Sequence, residues 1–191
     1  MAVIDRKKLI LEAAAKSFSL YGYKATTMDQ VAKLANVGKG TIYTFFKTKE
    51  ELFDEIISSL IADIRFEVES ALDDSASILD NVNHVLARVH EFRKSHQLTI
   101  KLIQEERDMG TQTVVEAMQR VEQSIIQYMK GIIQKAIEKG EIKSCDPEIT
   151  AFVMLKMYFS LVNEWQRNHP PLKKEEIAKL FELYLLKGLL A

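Results

Sequence analysis

Long stretches of this sequence contain neither glycine nor proline, and that scarcity limits the folds open to it. The 191 residues include only seven glycines and three prolines, the residues that most often interrupt helices and form tight turns. A sheet with many hairpin turns would need more of them. An all-α fold of about nine helices joined by short loops is therefore predicted, and the 47% hydrophobic content is enough for a sizeable core.

Apolar residues at helical spacing place the individual helices. The predicted helices cover residues 5–21, 28–35, 39–46, 48–72, 77–94, 98–108, 111–139, 147–168 and 174–190. Gly22 is expected to end the first helix in the left-handed conformation. Asn36 also tolerates that conformation and can turn the chain between the second and third helices.

Several predicted helix starts carry side chains that cap helices. The hydroxyl of Thr26 or Thr27 can cap the second helix. Thr48 and Glu51 have the spacing of a capping box at the start of the fourth. Asp146 precedes a proline, which suits the first position of a helix. These local signals predict where the helices begin.

The first three helices have the layout of a helix-turn-helix unit. In the third, Ile42 and Phe46 are four residues apart and are predicted to share a buried face with Val37. The residues left outside suit a DNA duplex, because Lys and Thr can hydrogen-bond to base edges and a glycine lets the backbone approach closely. Nearby lysine, tyrosine and threonine side chains can contact phosphates. The predicted DNA-binding residues are Thr27, Gly38, Lys39, Gly40, Thr41, Tyr43, Thr44, Lys47 and Lys49.

The charge distribution supports an anionic partner for this region. Residues 1–49 contain nine Lys and Arg against three acidic residues, a balance of +6. The rest of the chain has 26 − 9 = 17 basic and 27 − 3 = 24 acidic residues, a balance of −7. A basic segment on an acidic body is typical of a protein that binds nucleic acid or another anion.

The run TTMDQVAKLANVGKGTIYTFFKTKEELF resembles the DNA-binding domain of the tetracycline-repressor (TetR) family of bacterial transcriptional regulators. The matching positions are Thr27, Val31, Ala32, Ala35, Val37, Gly40, Ile42, Tyr43, Phe46, Thr48, Lys49, Glu50 and Leu52. Three positions depart from the family pattern. Asn36 stands where glycine is usual, Gly38 replaces a serine that would cap the helix, and Phe45 replaces a histidine or tyrosine. The role of Phe45 is left open.

The resemblance implies a two-part regulator that acts as a homodimer. It predicts a DNA-binding domain over residues 1–49 and a ligand-binding and dimerisation domain over residues 50–191. The implied activity is repression at a double-stranded, palindromic DNA operator, relieved when a small-molecule effector enters the C-terminal domain. Activation, or a response to a partner protein, is a variant that the sequence does not separate from this one.

The resemblance implies a four-helix dimer interface at the last two helices, and their apolar patterns agree with it. Apolar residues surround the helix from Ala151 to Trp165 almost completely, so it should be covered on several sides. The final helix carries one sustained apolar stripe. The predicted dimerisation residues on it are Ile177, Leu180, Phe181, Tyr184, Leu185, Gly188 and Leu189.

A mostly apolar effector is predicted from the methionines and large aromatic residues of this domain, since methionine adapts to irregular shapes. The predicted ligand-binding residues are Met118, Ile125, Met129, Met154, Met157, Tyr158, Leu161 and Trp165. The same residues would also suit an ordinary core. Candidates for polar contacts with the effector are Glu105, Glu116, Glu122 and Asn163, although acidic residues on helices are usually solvated.

Neither a cofactor nor a metal site is predicted, and the chain is not expected to be an enzyme. Three histidines recur every six residues, a spacing that does not align them on one helical face, and catalytic motifs are lacking. The single cysteine excludes an internal disulfide. No signal peptide or membrane span is expected, so a cytoplasmic location is predicted. The alternative function is a helical lipid-binding or carrier protein with a basic, membrane-facing head.

Overall fold

The structure, a computed structural model, describes residues 5–190. Within this range the chain is helical, and an isolated bridge pairs Ile142 with Leu190 without forming a strand. The all-α prediction is confirmed. Residues 1–4 and 191, at the outer ends of the two predicted domains, lie outside the described residues. None of the described helices is both long and apolar enough to cross a membrane.

The helix bounds agree closely with those predicted from the sequence. The helices are α1 (Arg6–Ala25), α2 (Met28–Leu34), α3 (Lys39–Phe45), α4 (Lys49–Ala71), α5 (Ile78–Ser95), α6 (Gln97–Met109), α7 (Gln112–Glu138), α8 (Pro147–Phe159), α9 (Lys174–Phe181) and α10 (Lys187–Leu189). A π-helical turn, Ser160–Glu164, and a 3-10 turn, Trp165–Arg167, extend α8. A second π-helical turn, Glu182–Leu186, joins α9 to α10.

Side-chain caps define the starts of several helices. Thr27 caps α2 in a full capping box with Gln30. Asp146 accepts the N–H groups of the second and third residues of α8, as predicted. The Thr48 hydroxyl accepts the Glu51 N–H at 3.2 Å, which is one half of the predicted capping box. The Glu51 carboxylate accepts the Lys47 N–H at 2.6 Å instead of the Thr48 N–H, so the other half does not form.

The prediction for Gly22 was wrong in its detail. Gly22 has φ 82° and ψ 174°, which interrupts α1 without adopting the left-handed helical conformation, and helical structure resumes as far as Ala25. Asn36, by contrast, has φ 53° as predicted. The difference arises because Asn36 needs only a local turn, whereas the Gly22 backbone is held by a side chain distant in sequence, described below.

The described chain forms two compact units. The first holds residues up to Asp63 together with Arg93–Val121, and the second holds Ile64–Phe92 and the residues from Glu122 onward. The predicted boundary between residues 49 and 50 was placed by function rather than by packing, and it stays a prediction.

The core of the first unit is built around three aromatic rings. Phe18 and Phe53 are fully buried and Tyr23 is 5% exposed. The ring centroid of Phe53 lies 5.2 Å from that of Phe18 and 4.7 Å from that of Tyr23. These rings fix α1 against the start of α4. Burying side chains of this size stabilises the fold by roughly 1.5–3 kcal/mol each.

The second unit contains two apolar clusters. The first, named the α8–α9 cluster, consists of Leu86, Tyr158, Val162, Ile177 and Phe181. The second, named the α7–α8 cluster, consists of Ile133, Ala136, Ile142 and Ala151. Helix α8 contributes to both, and this explains why its sequence is apolar on more than one side.

Candidate nucleic-acid interface

The last four residues of α1 and the residue that follows them, Gly22–Thr26, are named the α1–α2 junction. The buried Thr26 hydroxyl donates to the Gly22 carbonyl at 2.8 Å and lies 3.1 Å from the Ser17 hydroxyl. The next residue is Thr27, the N-cap of α2. The junction therefore sets where α2 begins, and through the α2–α3 turn it sets where α3 lies.

Tyr23 ties this junction to the first turn of α4. Its hydroxyl donates to Glu50 Oε1 at 2.6 Å. Burial first, and then this hydrogen bond, raise the pKa of Tyr23 to about 12, and the same bond holds the pKa of Glu50 below its usual value. At neutral pH the pair is therefore a neutral phenol donating to a carboxylate.

Helix α3 divides into a buried and an exposed face. Ile42 is fully buried and Phe46, which follows the last turn, is 3% exposed. The core roles predicted for both are confirmed. The other predicted DNA-binding residues of this segment are exposed or half-buried: Gly38, Lys39, Gly40, Thr41, Tyr43, Thr44 and Lys47. Thr27, at the start of α2, is exposed as well.

The two glycines of this segment leave space on the exposed face. Gly38 caps α3 with φ −65° and ψ 149° and provides no side-chain hydrogen bond. A Cβ atom placed on Gly40 would meet none of the described atoms within 4 Å outside the neighbouring backbone of α3. The protein itself therefore does not require glycine at position 40, whereas a phosphate backbone approaching α3 would.

Asp29, which was not among the predicted residues, forms an ion pair with Lys39. Asp29 Oδ2 accepts from Lys39 Nζ at 2.9 Å, and both side chains are more than half exposed. The hydrogen bond to Asp29 raises the pKa of the Lys39 ammonium. An exposed pair of this kind contributes little to stability. DNA can therefore displace the contact, although Asp29 reduces the positive charge that α3 presents.

Lys47 and Lys49 have different surroundings although both were predicted to contact phosphate. Lys47 is exposed and donates to the Tyr43 carbonyl at 3.1 Å. Lys49 donates to the carbonyls of Tyr23 and Thr26, each at 3.0 Å, and lies 4.2 Å from the centre of the Tyr23 ring. Two of its three N–H donors are thus engaged within the chain, so Lys49 joins α4 to the α1–α2 junction and has at most one donor left for phosphate.

Phe45 lies at the end of α3 and is 42% exposed. An aromatic ring at the edge of a recognition helix can pack on sugars or on a thymine methyl group. It provides no hydrogen bond to phosphate, unlike the histidine or tyrosine of the family pattern.

The predicted ligand-binding residues lie in several local environments. Met154, Met157, Tyr158 and Leu161 belong to or pack against the α8–α9 cluster, and Met129 packs against the α7–α8 cluster. Ile125 is half-buried. Met118 is buried in the first unit. Trp165 is 42% exposed and stacks on His169, with the ring centroids 3.9 Å apart.

The candidates for polar effector contacts have partners of their own. Glu122 pairs with Lys156 at 2.7 Å, and Glu116 accepts from Gln112 at 2.7 Å. Asn163 is half-buried. Glu105 is 3% exposed and binds backbone N–H groups of the α1–α2 junction. No local signal predicted that contact, because its partners are 82 and 81 residues away in the sequence.

The predicted dimerisation residues divide between the core and the surface. Ile177 and Phe181 are each 1% exposed inside the α8–α9 cluster, so their own chain already covers them. Tyr184 is 68% exposed and Gly188 is also exposed, while Leu180, Leu185 and Leu189 are half-buried. Helix α8 adds a stripe of exposed apolar side chains at helical spacing, Ile149, Phe152 and Val153.

These features together define a class of protein. The short capped helix α2 is followed by a turn through Asn36 and by the second helix, α3. One face of α3 is buried and the other is basic and rich in hydroxyl groups. This arrangement is a helix-turn-helix DNA-binding unit. The helical second unit carries apolar residues both in its core and on its surface.

Comparison with known proteins places the chain within that class. Residues 10–56 match the family described as "Bacterial regulatory proteins, tetR family", and residues 79–189 match "Tetracyclin repressor-like, C-terminal domain". The chain belongs to the tetR family and is a DNA-binding transcriptional regulator. Regulators of this family bind operator DNA, form dimers and bind small-molecule effectors.

Similar proteins agree with this assignment. An uncharacterised HTH-type transcriptional regulator of Bacillus subtilis strain 168, YhgD, is 58% identical over 98% of both chains. The solved structure of a SmeT–triclosan complex has a TM-score of 0.75 at 18% identity and covers 97% of this chain and 92% of that one. The fatty acid degradation regulator FadR from Bacillus halodurans has a TM-score of 0.74 at 16% identity, with 97% of each chain covered. At these identities the two structures show a shared fold.

Proposed function

We propose that this chain is a transcriptional repressor that binds a palindromic operator as a homodimer and is released by a small, mostly apolar effector. The observation that carries the effector proposal is the position of Met154. It is half-buried and packs against both apolar clusters of the second unit. A flexible side chain that contacts both clusters can change its conformation to make space for a ligand, and neither cluster is then disrupted.

The names of similar proteins support an apolar effector. One solved structure is of a triclosan complex, and another is of a regulator of fatty acid degradation. Both names refer to compounds with a large apolar carbon skeleton. On this basis we narrow the proposed ligand-binding set to Met129, Met154, Met157, Tyr158 and Leu161, which belong to or pack against the two clusters.

The proposed mechanism is a linkage between two binding events. An effector bound in the second unit favours a conformation in which α4 changes the distance between the two α3 helices of the dimer. At that distance the two α3 helices no longer fit the two half-sites of the operator. Coupling of this kind is typically about 1–3 kcal/mol, or roughly 5–150-fold in DNA affinity. A regulator that works on bacterial DNA acts in the cytoplasm, and that location is part of the proposal.

The test begins with footprinting of the protein on the DNA upstream of its own coding region. A labelled duplex from the protected segment is then titrated by fluorescence anisotropy in the presence of decanoate or oleate, with glutamate and glucose 6-phosphate as polar controls. We expect the fatty acids to weaken DNA binding at least fivefold and the polar compounds to have no effect. Release by the polar compounds alone would contradict an apolar effector.

A pair of matched variants locates the effect. Met157→Trp adds bulk beside the α8–α9 cluster, whereas Met109→Trp adds the same bulk at a side chain that is 63% exposed in the first unit. Met157→Trp is expected to bind DNA but to lose most of its response to fatty acid. Equal responses of the two variants would place the effector elsewhere.

A further inference from the structure

A carboxylate from α6 holds the end of α1. Glu105 Oε2 accepts the Tyr23 N–H at 2.6 Å and Glu105 Oε1 accepts the Lys24 N–H at 3.0 Å. Glu105 is 3% exposed, its bond to the Tyr23 N–H is buried, and its bond to the Lys24 N–H is partly buried. Charged acceptors form stronger hydrogen bonds to backbone N–H groups than neutral ones do. The Glu105 carboxylate therefore fastens α6 to the last residues of α1.

The backbone is shaped for this contact. In an uninterrupted helix, the N–H groups of residues 23 and 24 would bind carbonyls four residues earlier. The break at Gly22, with φ 82°, releases them for Glu105. A Cβ atom on Gly22 would lie 2.3 Å from Glu105 Oε2. Position 22 therefore requires glycine both for its conformation and for the approach of the carboxylate.

The junction is also bound from its opposite, carbonyl side. Lys49 of α4 donates to the carbonyls of Tyr23 and Thr26, as described above. An anion from α6 thus binds the N–H groups and a cation from α4 binds the carbonyls of one five-residue segment. That segment ends directly before the N-cap of α2, and α2 packs on the recognition helix α3.

We infer that Glu105 is a positioning residue for DNA binding. Its carboxylate fixes the α1–α2 junction in the conformation that presents α2 and α3 together to a duplex. Glu105 itself touches no DNA, so it influences affinity without reading bases or phosphates. The inference rests on the DNA-binding activity of the family and not on the effector proposed above.

The test compares Glu105→Gln with Glu106→Gln, which removes the same charge from the next residue of α6. Both are titrated by anisotropy on the footprinted duplex at several salt concentrations, well below the melting temperature of each variant. We expect Glu105→Gln to weaken binding on the order of tenfold. The slope of affinity against salt should stay that of the wild type, because no phosphate contact is lost.

A folded Glu105→Gln variant that binds DNA like the wild type would overturn the inference, whatever its melting temperature. A purely structural role would lower the melting temperature without changing the affinity. Glu105→Asp keeps the charge on a side chain one methylene shorter, and it should retain an affinity between those of Glu105→Gln and the wild type.

A second measurement uses the wild-type protein alone. If the anchored junction is the DNA-binding conformation, DNA must in turn stabilise it, because linkage is reciprocal. Hydrogen exchange at the Tyr23 and Lys24 amides should therefore slow when the footprinted duplex is added. Slower exchange confined to α3, with these two amides unchanged, would also overturn the inference.

Discussion

At the residue scale, Gly40 distinguishes what folding requires of α3 from what DNA requires. Apart from the neighbouring backbone of α3 itself, none of the described atoms lies within 4 Å of the place where a Cβ atom would stand. Glycine in a helix costs roughly 0.5–1 kcal/mol relative to alanine. We therefore expect Gly40→Ala to raise the free energy of unfolding by about that amount while weakening operator binding. Urea unfolding and anisotropy measure the two effects separately.

Gly131 provides the matched control for this prediction. It lies within α7 and is exposed, and a methyl group at this position would also have nothing within 4 Å. Gly131→Ala should gain similar stability and bind DNA like the wild type. If Gly40→Ala binds DNA as well as Gly131→Ala does, the backbone at position 40 does not approach the duplex closely.

Asp29 is a residue whose removal should strengthen DNA binding. It holds the Lys39 ammonium at 2.9 Å and places a negative charge beside the recognition helix. Asp29→Asn removes that charge and releases Lys39, so the affinity for DNA should rise. The rise should be largest for DNA of unrelated sequence, because such DNA is bound mainly through its phosphates. Anisotropy with operator and random duplexes would show a smaller preference for the operator.

Asp74→Asn is the control, since Asp74 is exposed and lies between α4 and α5, far along the chain from α3. It makes the same change in net charge. An equal gain for both variants would mean that overall charge, rather than the pair with Lys39, governs affinity.

At the element scale, the signals that the sequence predicted correctly were local ones. Thr27, Asn36, and Asp146 before a proline all act within four residues of the helix end that they define. Patterns of this range are visible in one sequence because the interacting groups are neighbours along the chain. For the same reason the bounds of α2 and α3 and the start of α8 could be predicted closely.

The contacts that organise the candidate site were missed because they join distant segments. Glu105 was considered only for a polar effector contact, and its actual partners lie on α1. Lys49 has the composition of a phosphate-binding residue, yet its ammonium binds carbonyls 26 and 23 residues away. Ile177 and Phe181 fit an interface stripe and an internal core equally well by spacing alone, and both are buried within the chain. Only tertiary packing decides such cases.

The difference between Lys47 and Lys49 gives a prediction at this scale. Lys49→Ala breaks two charge-assisted bonds between α4 and the α1–α2 junction, so we expect it to lower the free energy of unfolding by about 1–3 kcal/mol. Lys47→Ala, at an exposed side chain, should change it by less than about 0.5 kcal/mol. Urea unfolding compares them directly. Equal stabilities would show that the Lys49 contacts are replaced by water at no cost.

For the whole molecule, charge is segregated along the chain. The first 49 residues carry +6 and the remainder −7, so the DNA-binding end attracts a polyanion while the acidic remainder does not. The exposed apolar side chains of α8 and of the turn after α9 lie on the second unit. We propose that two copies of the chain pair through this apolar surface of their second units.

The dimer is tested by placing charge on that apolar surface. Phe152 is 46% and Tyr184 68% exposed, so replacing both with glutamate costs the single chain little. In a dimer interface the two carboxylates would be buried without partners, which is strongly unfavourable. We expect light scattering at micromolar concentration to show a dimer for the wild type and a monomer for Phe152→Glu/Tyr184→Glu.

Tyr21→Glu, at a tyrosine 58% exposed on the first unit, should remain a dimer. If the double variant stays dimeric, the chains pair through another surface, and if the wild type is a monomer, two half-sites are not bound by a preformed pair.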